Sequence, residues 1–150
     1  EPHNHMFIGE YRHTMDDKNR LSLPAKFRSG LGKKIIITRG LDRCLSVYPN
    51  KEWNVFTNKL ADLSFGQSDA RAFGRFILGG AVEVELDKSG RILVPDFLAN
   101  FAGIIPGKMV VTGAGNRVEL WGELQWDEYA KRVTGEVDQL AEKLGAIGMV

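Results

Sequence analysis

Cysteine is almost absent from this chain of 150 residues: Cys44 stands alone, which excludes an internal disulfide and fits a reducing compartment. A lone cysteine in the apolar run "CLSVY" reads as a small core residue, with a reactive thiol as the minor alternative. Histidine is scarce as well, and of the three only His13 falls within the body of the chain. No CxxC pair, no HExxH and no GxSxG occurs, so the usual metal and nucleophile signatures are missing. "GIIPGK" at 103–108 has three intervening residues where a phosphate loop needs four, and Met109 follows where a magnesium-binding hydroxyl should stand. It reads as a turn into a strand. Long hydrophobic runs are missing too: "KIIIT" and "KMVVT" fall far short of the roughly 20 apolar residues of a membrane span. With no segment resembling a signal peptide, the sequence predicts a cytoplasmic protein without membrane contact, metal or cofactor.

Charge of one sign is also lacking, since the net charge is only +1. Its distribution is uneven. Residues 119–150 hold seven acids against three bases, whereas the first 118 carry 17 bases and 12 acids, a mildly basic body with an acidic C-terminal segment. The opening "EPHNH" reads as an added tail ahead of Met6. A copper clamp there would need ionisable amides before His3, and Pro2 has none to offer.

What the sequence does contain is one phrase written twice. "DDKNRLSLP" at 16–24 returns seventy-one positions later as "DKSGRILVP" at 87–95. At that offset Asp16 falls on Asp87, Arg20 on Arg91, Pro24 on Pro95 and Phe27 on Leu98. With a two-residue insertion the offset becomes 73, and Ile37 falls on Val110, Tyr48 on Trp121, Trp53 on Trp126 and Phe56 on Tyr129. The division expected is therefore tail 1–5, first repeat 6–66, linking helix 67–80, and second repeat with C-terminal helix 81–150.

Each copy predicts the same elements. A strand (10–15, 81–86) runs into the acid-to-arginine turn and out through a second strand, "RLSL" or "RILV". Asn19 in one copy matches Gly90 in the other, the two residue types that best tolerate positive φ, so the turn demands a left-handed residue before the arginine. Pro24 and Pro95 suit the first position of a short helix. Two further strands follow, then a helix at 50–63 or 123–144, with Ser68 as N-cap of the linking helix. Alone, neither copy could cover its strand edges. Two pseudo-symmetric copies exchanging strands would close one small barrel.

As chemistry, the paired acids Asp16 and Asp87 make poor proton donors, because solvated carboxyls beside cations stay ionised. One reading has each Asp accept the turn's N–H bonds and pair with its Arg, as a purely structural device. The other has the basic residues bind a ligand, since a tip showing Lys18 and Arg20, or Lys88 and Arg91, suits phosphates and base edges. His13 reads as a strand-surface residue or a phosphate contact. Trp53, Phe56, Trp126 and Tyr129 read as core by their helical spacing. Arg71 and Arg75 read as the solvated face of a helix, or else as a DNA or subunit contact.

Together the duplicated Asp-x-x-x-Arg turn, "MFIGEYRHTMD", "RLSLPAKFR", "TRGLDRCLSVYP", "DARAFGRF", "ELDKSGRILVP" and "NRVELW" resemble the MraZ family of the AbrB/SpoVT-like swapped-hairpin group, from Met6 to about Leu144. The resemblance implies an α+β fold: a double-split β-barrel of two pseudo-symmetric β-α-β-β-α repeats with flanking helices. It implies a homo-oligomeric ring, an octamer or similar. It further implies a nucleoid-associated transcriptional regulator that binds double-stranded DNA at repeated promoter elements of the division and cell-wall gene cluster. The family motif falls on Asp16, Arg20, Asp87 and Arg91, with Asn19 standing where glycine is usual.

The DNA-contact set expected from residues and resemblance together is Arg12, Asp16, Lys18, Arg20, Asp87, Lys88 and Arg91. Because residues 10–28 hold five bases against three acids and residues 83–96 two against four, the first turn is expected to bind more strongly. The competing reading is a structural or protein-interaction module of the same fold. A hydrolase built on the two acids lacks a nucleophile, a base and a metal set.

Overall fold

The structure is a computed structural model that describes residues 6–149; the expected tail, 1–5, lies outside the described residues. The chain runs β1 (Glu10–Met15), β2 (Arg20–Ser22), α1 (Ala25–Leu31), β3 (Lys34–Arg39), a short 3-10 turn (Leu41–Arg43), β4 (Leu45–Pro49), α2 (Asn50–Ala61) and α3 (Ser68–Gly79). It continues with β5 (Val82–Glu85), β6 (Arg91–Leu93), α4 (Asp96–Ala102), β7 (Gly107–Gly113), β8 (Val118–Gly122) and α5 (Glu123–Ala146). All eight strands join one antiparallel sheet in the order β5-β3-β4-β8-β7-β1-β2-β6, curled into a nearly closed barrel. The fold is α+β, a split barrel, as expected.

Strand exchange is written into the pairing. β1 lies along β7, from Glu10 opposite Thr112 to Met15 opposite Gly107, while β5 lies along β3, from Lys34 opposite Glu85 to Ile37 opposite Val82. Each repeat therefore lends its first strand to the other. The two symmetric seams are β2 with β6 and β4 with β8. The expected hairpin is open: β1 and β2 share a single pair, Met15 opposite Leu21, before each goes to a different neighbour.

Alternation along the strands fills the barrel. Leu21, Ile35, Ile37, Leu45, Val47, Ile92, Met109, Val111, Val118 and Leu120 point inward and are fully buried, and Phe27 of α1 and Leu98 of α4 plug the interior from the helices. The helical aromatics are a correction. Trp53 and Phe56 pack on Tyr48, and Trp126 and Tyr129 on Trp121, but all four are half-buried and cover the outer face of the barrel. Their i, i+3 spacing reports one apolar helix face, and a face that covers a sheet from outside has the same period as one in a core.

Three helix starts also differ from expectation. Pro24 and Pro95 occupy the cap position, with ψ of 138° and 142°, and the helices begin one residue later. Extended ψ at the cap serves a chain that has just left a strand. Ser68 is itself the first residue of α3, behind Gln67, with no side-chain cap bond. Cys44 is buried as expected; burial pushes its thiol up, and its Sγ donates to the Leu41 carbonyl.

Candidate nucleic-acid interface

The two copies of the phrase fold into the same object. In the first, Asp16 Oδ1 accepts the backbone N–H groups of Lys18 at 2.9 Å and Arg20 at 2.8 Å, while Oδ2 accepts Arg20 Nε at 2.8 Å. In the second, Asp87 Oδ1 accepts from Ser89 at 2.8 Å and Arg91 at 2.9 Å, and Oδ2 accepts Arg91 Nε at 2.9 Å. One carboxylate thus closes the turn and grips the arginine by its inner nitrogen. Among the described residues neither arginine's terminal nitrogens have a hydrogen-bond partner, so the outward fork of each guanidinium is available. The aspartates do what the structural reading asked of them, and in doing so aim the arginines.

The arginine backbone N–H, followed in strength by the guanidinium bond, holds each aspartate below the usual carboxylate range. A depressed folded-state value means the stabilising bonds are complete above the unfolded value, near about 4, and are lost as pH falls through the folded one. The amide resonances of Lys18, Arg20, Ser89 and Arg91 are therefore expected to hold steady from pH 8 to 5 and to shift only in more acidic solution. Movement of these four resonances near pH 6 would refute the assignment.

Asn19 has φ of 60° and Gly90 of 75°, so the left-handed residue predicted before each arginine is present in both turns. Strand exchange explains why the two positions differ. The Asn19 carbonyl accepts from Val94 N and the Gly90 carbonyl from Leu23 N, so each turn docks on the opposite repeat. Over the second turn lies Arg28, whose guanidinium any Cβ at Gly90 would strike. Over the first lies the start of α4, where the Asn19 side chain instead donates to Asp96 Oδ1 at 2.7 Å. Asn19→Gly is expected to keep the turn and lose that tie, lowering the thermal midpoint by no more than a few degrees, read by calorimetry.

The register of β2 against β6 places Arg20 opposite Leu93 and Ser22 opposite Arg91. Leu21 and Ile92 between them are buried, so Arg20 and Arg91 share the outward face as diagonal neighbours, about 7–8 Å apart at Cα. The two turns are thus not separate tips but the two ends of a single two-stranded ribbon. His13 supports it from β1, its half-buried Nδ1 donating to the Ser22 carbonyl at 2.7 Å, the strand-bound role of its two expected ones.

Arg12 is engaged elsewhere. It bridges Glu123 and Asp127 at the start of α5, both at 3.0 Å, and Glu10 at 3.3 Å. Those carboxylates raise its already high pKa, and the cluster straps the exchanged strand β1 to α5. Lys18 and Lys88 are exposed in their turns.

Sequence reasoning missed Arg28 and Lys33. Both stand beside the second turn: Arg28 Nη1 donates to the Ser89 carbonyl at 3.3 Å, and Arg28, Lys33, Lys88 and Asp87 line one shallow groove. The corresponding groove by the first turn holds Asp17, Lys18 and Asp96. Counting bases along the chain credited Arg28 to the first turn, but the exchange delivers it to the second.

The family described as "MraZ protein, putative antitoxin-like" matches this chain twice, over residues 6–76 and 77–144. Proteins named "Transcriptional regulator MraZ" are similar along nearly their whole length. The Moorella thermoacetica protein is 49% identical over 139 residues, 93% of this chain and 96% of the relative. That of Oenococcus oeni is 47% identical over the same shares, and that of Clostridium beijerinckii 48% identical over 144 residues, 96% of this chain and all of the relative. With both halves matched and half the residues shared with such relatives, the chain belongs to the MraZ family.

Proposed function

We propose that this protein is a sequence-specific DNA-binding transcriptional regulator that reads double-stranded DNA with the outward face of the β2/β6 ribbon. The observation that carries this is the pair of carboxylate-braced arginines, Arg20 and Arg91, held on one face with their terminal nitrogens unpartnered among the described residues. A guanidinium fixed through Nε presents a preset fork to guanine O6 and N7 or to a phosphate, and a two-stranded ribbon fits the major groove. Lys18 and Lys88 supply phosphate contacts at the ribbon's ends, while Asp16 and Asp87 act through their arginines. In the cell it would be cytoplasmic and nucleoid-associated, controlling the division and cell-wall gene cluster from repeated promoter elements. One ribbon neutralises few phosphates and binds weakly; several ribbons around a homo-oligomeric ring can raise avidity by about 10² to 10⁴. The names of the relatives support the regulatory reading.

The test is fluorescence-anisotropy titration of the DNA upstream of the protein's own gene against a scrambled duplex, over a salt series, with the mass of the complex recorded. Tight, salt-sensitive and selective binding by a multi-subunit species is expected. Equal affinity for both duplexes, or none, would leave a protein-interaction module as the better reading.

The grooves flanking the turns alter which end should dominate. Lys88→Ala with Arg91→Ala is expected to weaken binding more than Lys18→Ala with Arg20→Ala, the reverse of the order that linear charge counting predicts. Arg28→Ala with Lys33→Ala is expected to lower the slope of log affinity against log salt by about 2 for each ribbon engaged, across all sequences alike. An unchanged slope would remove these two residues from the interface.

A further inference from the structure

α5 is 24 residues long, about 36 Å, and only its first part is packed. Trp126 and Tyr129 sit on Trp121, Val133 is half-buried, and every residue from 134 to 146 is exposed. Three helical turns standing free in water are marginal on their own. The free part is not uniformly polar. Val133, Val137, Leu140 and Leu144 recur at spacings of four, three and four, a stripe along one side of the helix. Residues 133–146 also hold three acids and one base, and the carboxyl end of the helix adds its own partial negative charge.

A matching surface lies on the other side of the chain sequence. Between α2 and α3 runs an open groove of about 670 Å³ whose apolar floor includes Leu60, Leu63, Phe65 and Leu78, with Arg71 and Arg75 as its charged lining residues and no acid among the described residues that line it. Phe65 is 83% exposed and Leu78 50%, and both belong to the same groove lining, a contiguous apolar patch of the kind that marks an interaction site. Arg71 is held over the groove by donating to the Phe65 carbonyl at 2.7 Å.

We propose that the free half of α5 from one copy of this chain lies in the α2–α3 groove of the next copy. This rests on the ring assembly proposed above and names its interface. The occupant follows from complementarity: an acidic amphipathic helix with its negative end, against an apolar groove lined by cations, is the helix-in-groove mode of recognition. The two surfaces are different patches of one chain, so the contact is head-to-tail, and a head-to-tail contact repeats from copy to copy and makes a ring where its rotation closes. A self-complementary contact would stop at two copies. Arg71 and Arg75 thereby serve the subunit contact among their expected roles, and the acidic C-terminal segment serves assembly while the basic ribbon stays free for DNA.

The experiment measures the mass of the full chain by native mass spectrometry and light scattering, without DNA. One variant blocks the helix, Val137→Glu with Leu140→Glu; the other blocks the groove, Phe65→Glu with Arg75→Glu. All four positions are exposed, and far-ultraviolet circular dichroism checks that each variant keeps its helices. The natural chain is expected to assemble, each variant to be a monomer, and an equal mixture of the two to form a dimer and nothing larger, because one intact helix then meets one intact groove. A separate mixture of Phe65→Cys with Leu140→Cys chains is expected to yield an oxidised heterodimer that neither gives alone. A natural chain that is monomeric would overturn both this interface and the ring. A natural chain that assembles, with either variant equally assembled or the mixture failing to pair, would overturn the interface and leave the DNA reading standing.

Discussion

Replacing Arg20 and Arg91 together by alanine is expected to abolish sequence-selective DNA binding while leaving the barrel folded. Each arginine enters the fold through two kinds of bond. Its backbone N–H goes to the aspartate, and alanine keeps that bond; its Nε–H goes to the same aspartate, and alanine loses it. The other turn bonds, from Lys18 and Ser89, are backbone donors and survive. The ion pairs are about one-third exposed and contribute little to stability, so the thermal midpoint should move by only a few degrees. Binding is different, because a specific arginine contact is worth about 1–3 kcal/mol and two are removed from every ribbon. Affinity for the selected duplex should fall at least about 30-fold for each ribbon engaged, while residual binding keeps a salt dependence from Lys18, Lys88, Arg28 and Lys33. Arg20→Lys with Arg91→Lys is the informative companion. Lysine keeps the charge but has no second nitrogen to be gripped and no fork to aim, so non-selective affinity should persist while selectivity collapses. A double alanine variant within threefold of the natural protein would show that the ribbon face does not read DNA.

Much of this site could be read from the sequence because it depends on local backbone chemistry. Asn19 against Gly90 announced positive φ, Asp-x-x-x-Arg announced a closed turn, and both are present. Strand exchange was legible in outline, since two half-units with free edges have to share. The consequences of the exchange were not. Nothing local says that β1 will lie on β7, that Arg12 will therefore meet Glu123 and Asp127 on α5, or that Arg28 will cover the other repeat's Gly90. These are facts about pairing between segments far apart in the chain, and a charge count along the chain assigns such residues to the wrong neighbour. The same limit explains the helical aromatics: period identifies the apolar face, while the choice between barrel interior and outer cover is made by which side of the sheet the helix reaches. Register is the last thing hidden. That Arg20 and Arg91 share one face depends on Leu21 standing opposite Ile92, a two-strand alignment set by which side chains must enter the barrel.

Phe27→Ala is expected to have the opposite profile, a large loss of stability with the outward face of the β2/β6 ribbon untouched. Phe27 is 2% exposed at the end of the barrel, and two rings meet it edge-on, Phe7 at 5.8 Å and Tyr11 at 5.2 Å. Both partners belong to the exchanged segment, Tyr11 on β1 and Phe7 just before it, where it pairs with Gly115. Gly113 lets that segment pass close by, since a Cβ there would run into the backbone at Phe7 and Ile8. One ring therefore fastens the strand that one repeat lends to the other. Removing a buried phenyl group costs about 3–5 kcal/mol, and the aromatic edges add to it. Against a total of about 5–15 kcal/mol, that is a large share. For a domain of this size the thermal midpoint should fall by about 6–20 °C, measured by calorimetry. Hydrogen exchange should show β1 opening at lower free energy than the β3/β4 hairpin, because both rings that meet Phe27 edge-on belong to the exchanged segment. DNA affinity measured well below the midpoint should stay within a few-fold of the natural protein, since the bonds that set Arg20 and Arg91 run to Asp16 and Asp87 and not through the ring. A midpoint that falls less than 2 °C would mean that the exchanged strand is held by its backbone pairing with β7 and that Phe27 is filler. A protein that melts early but binds normally would separate what builds the ribbon from what the ribbon reads.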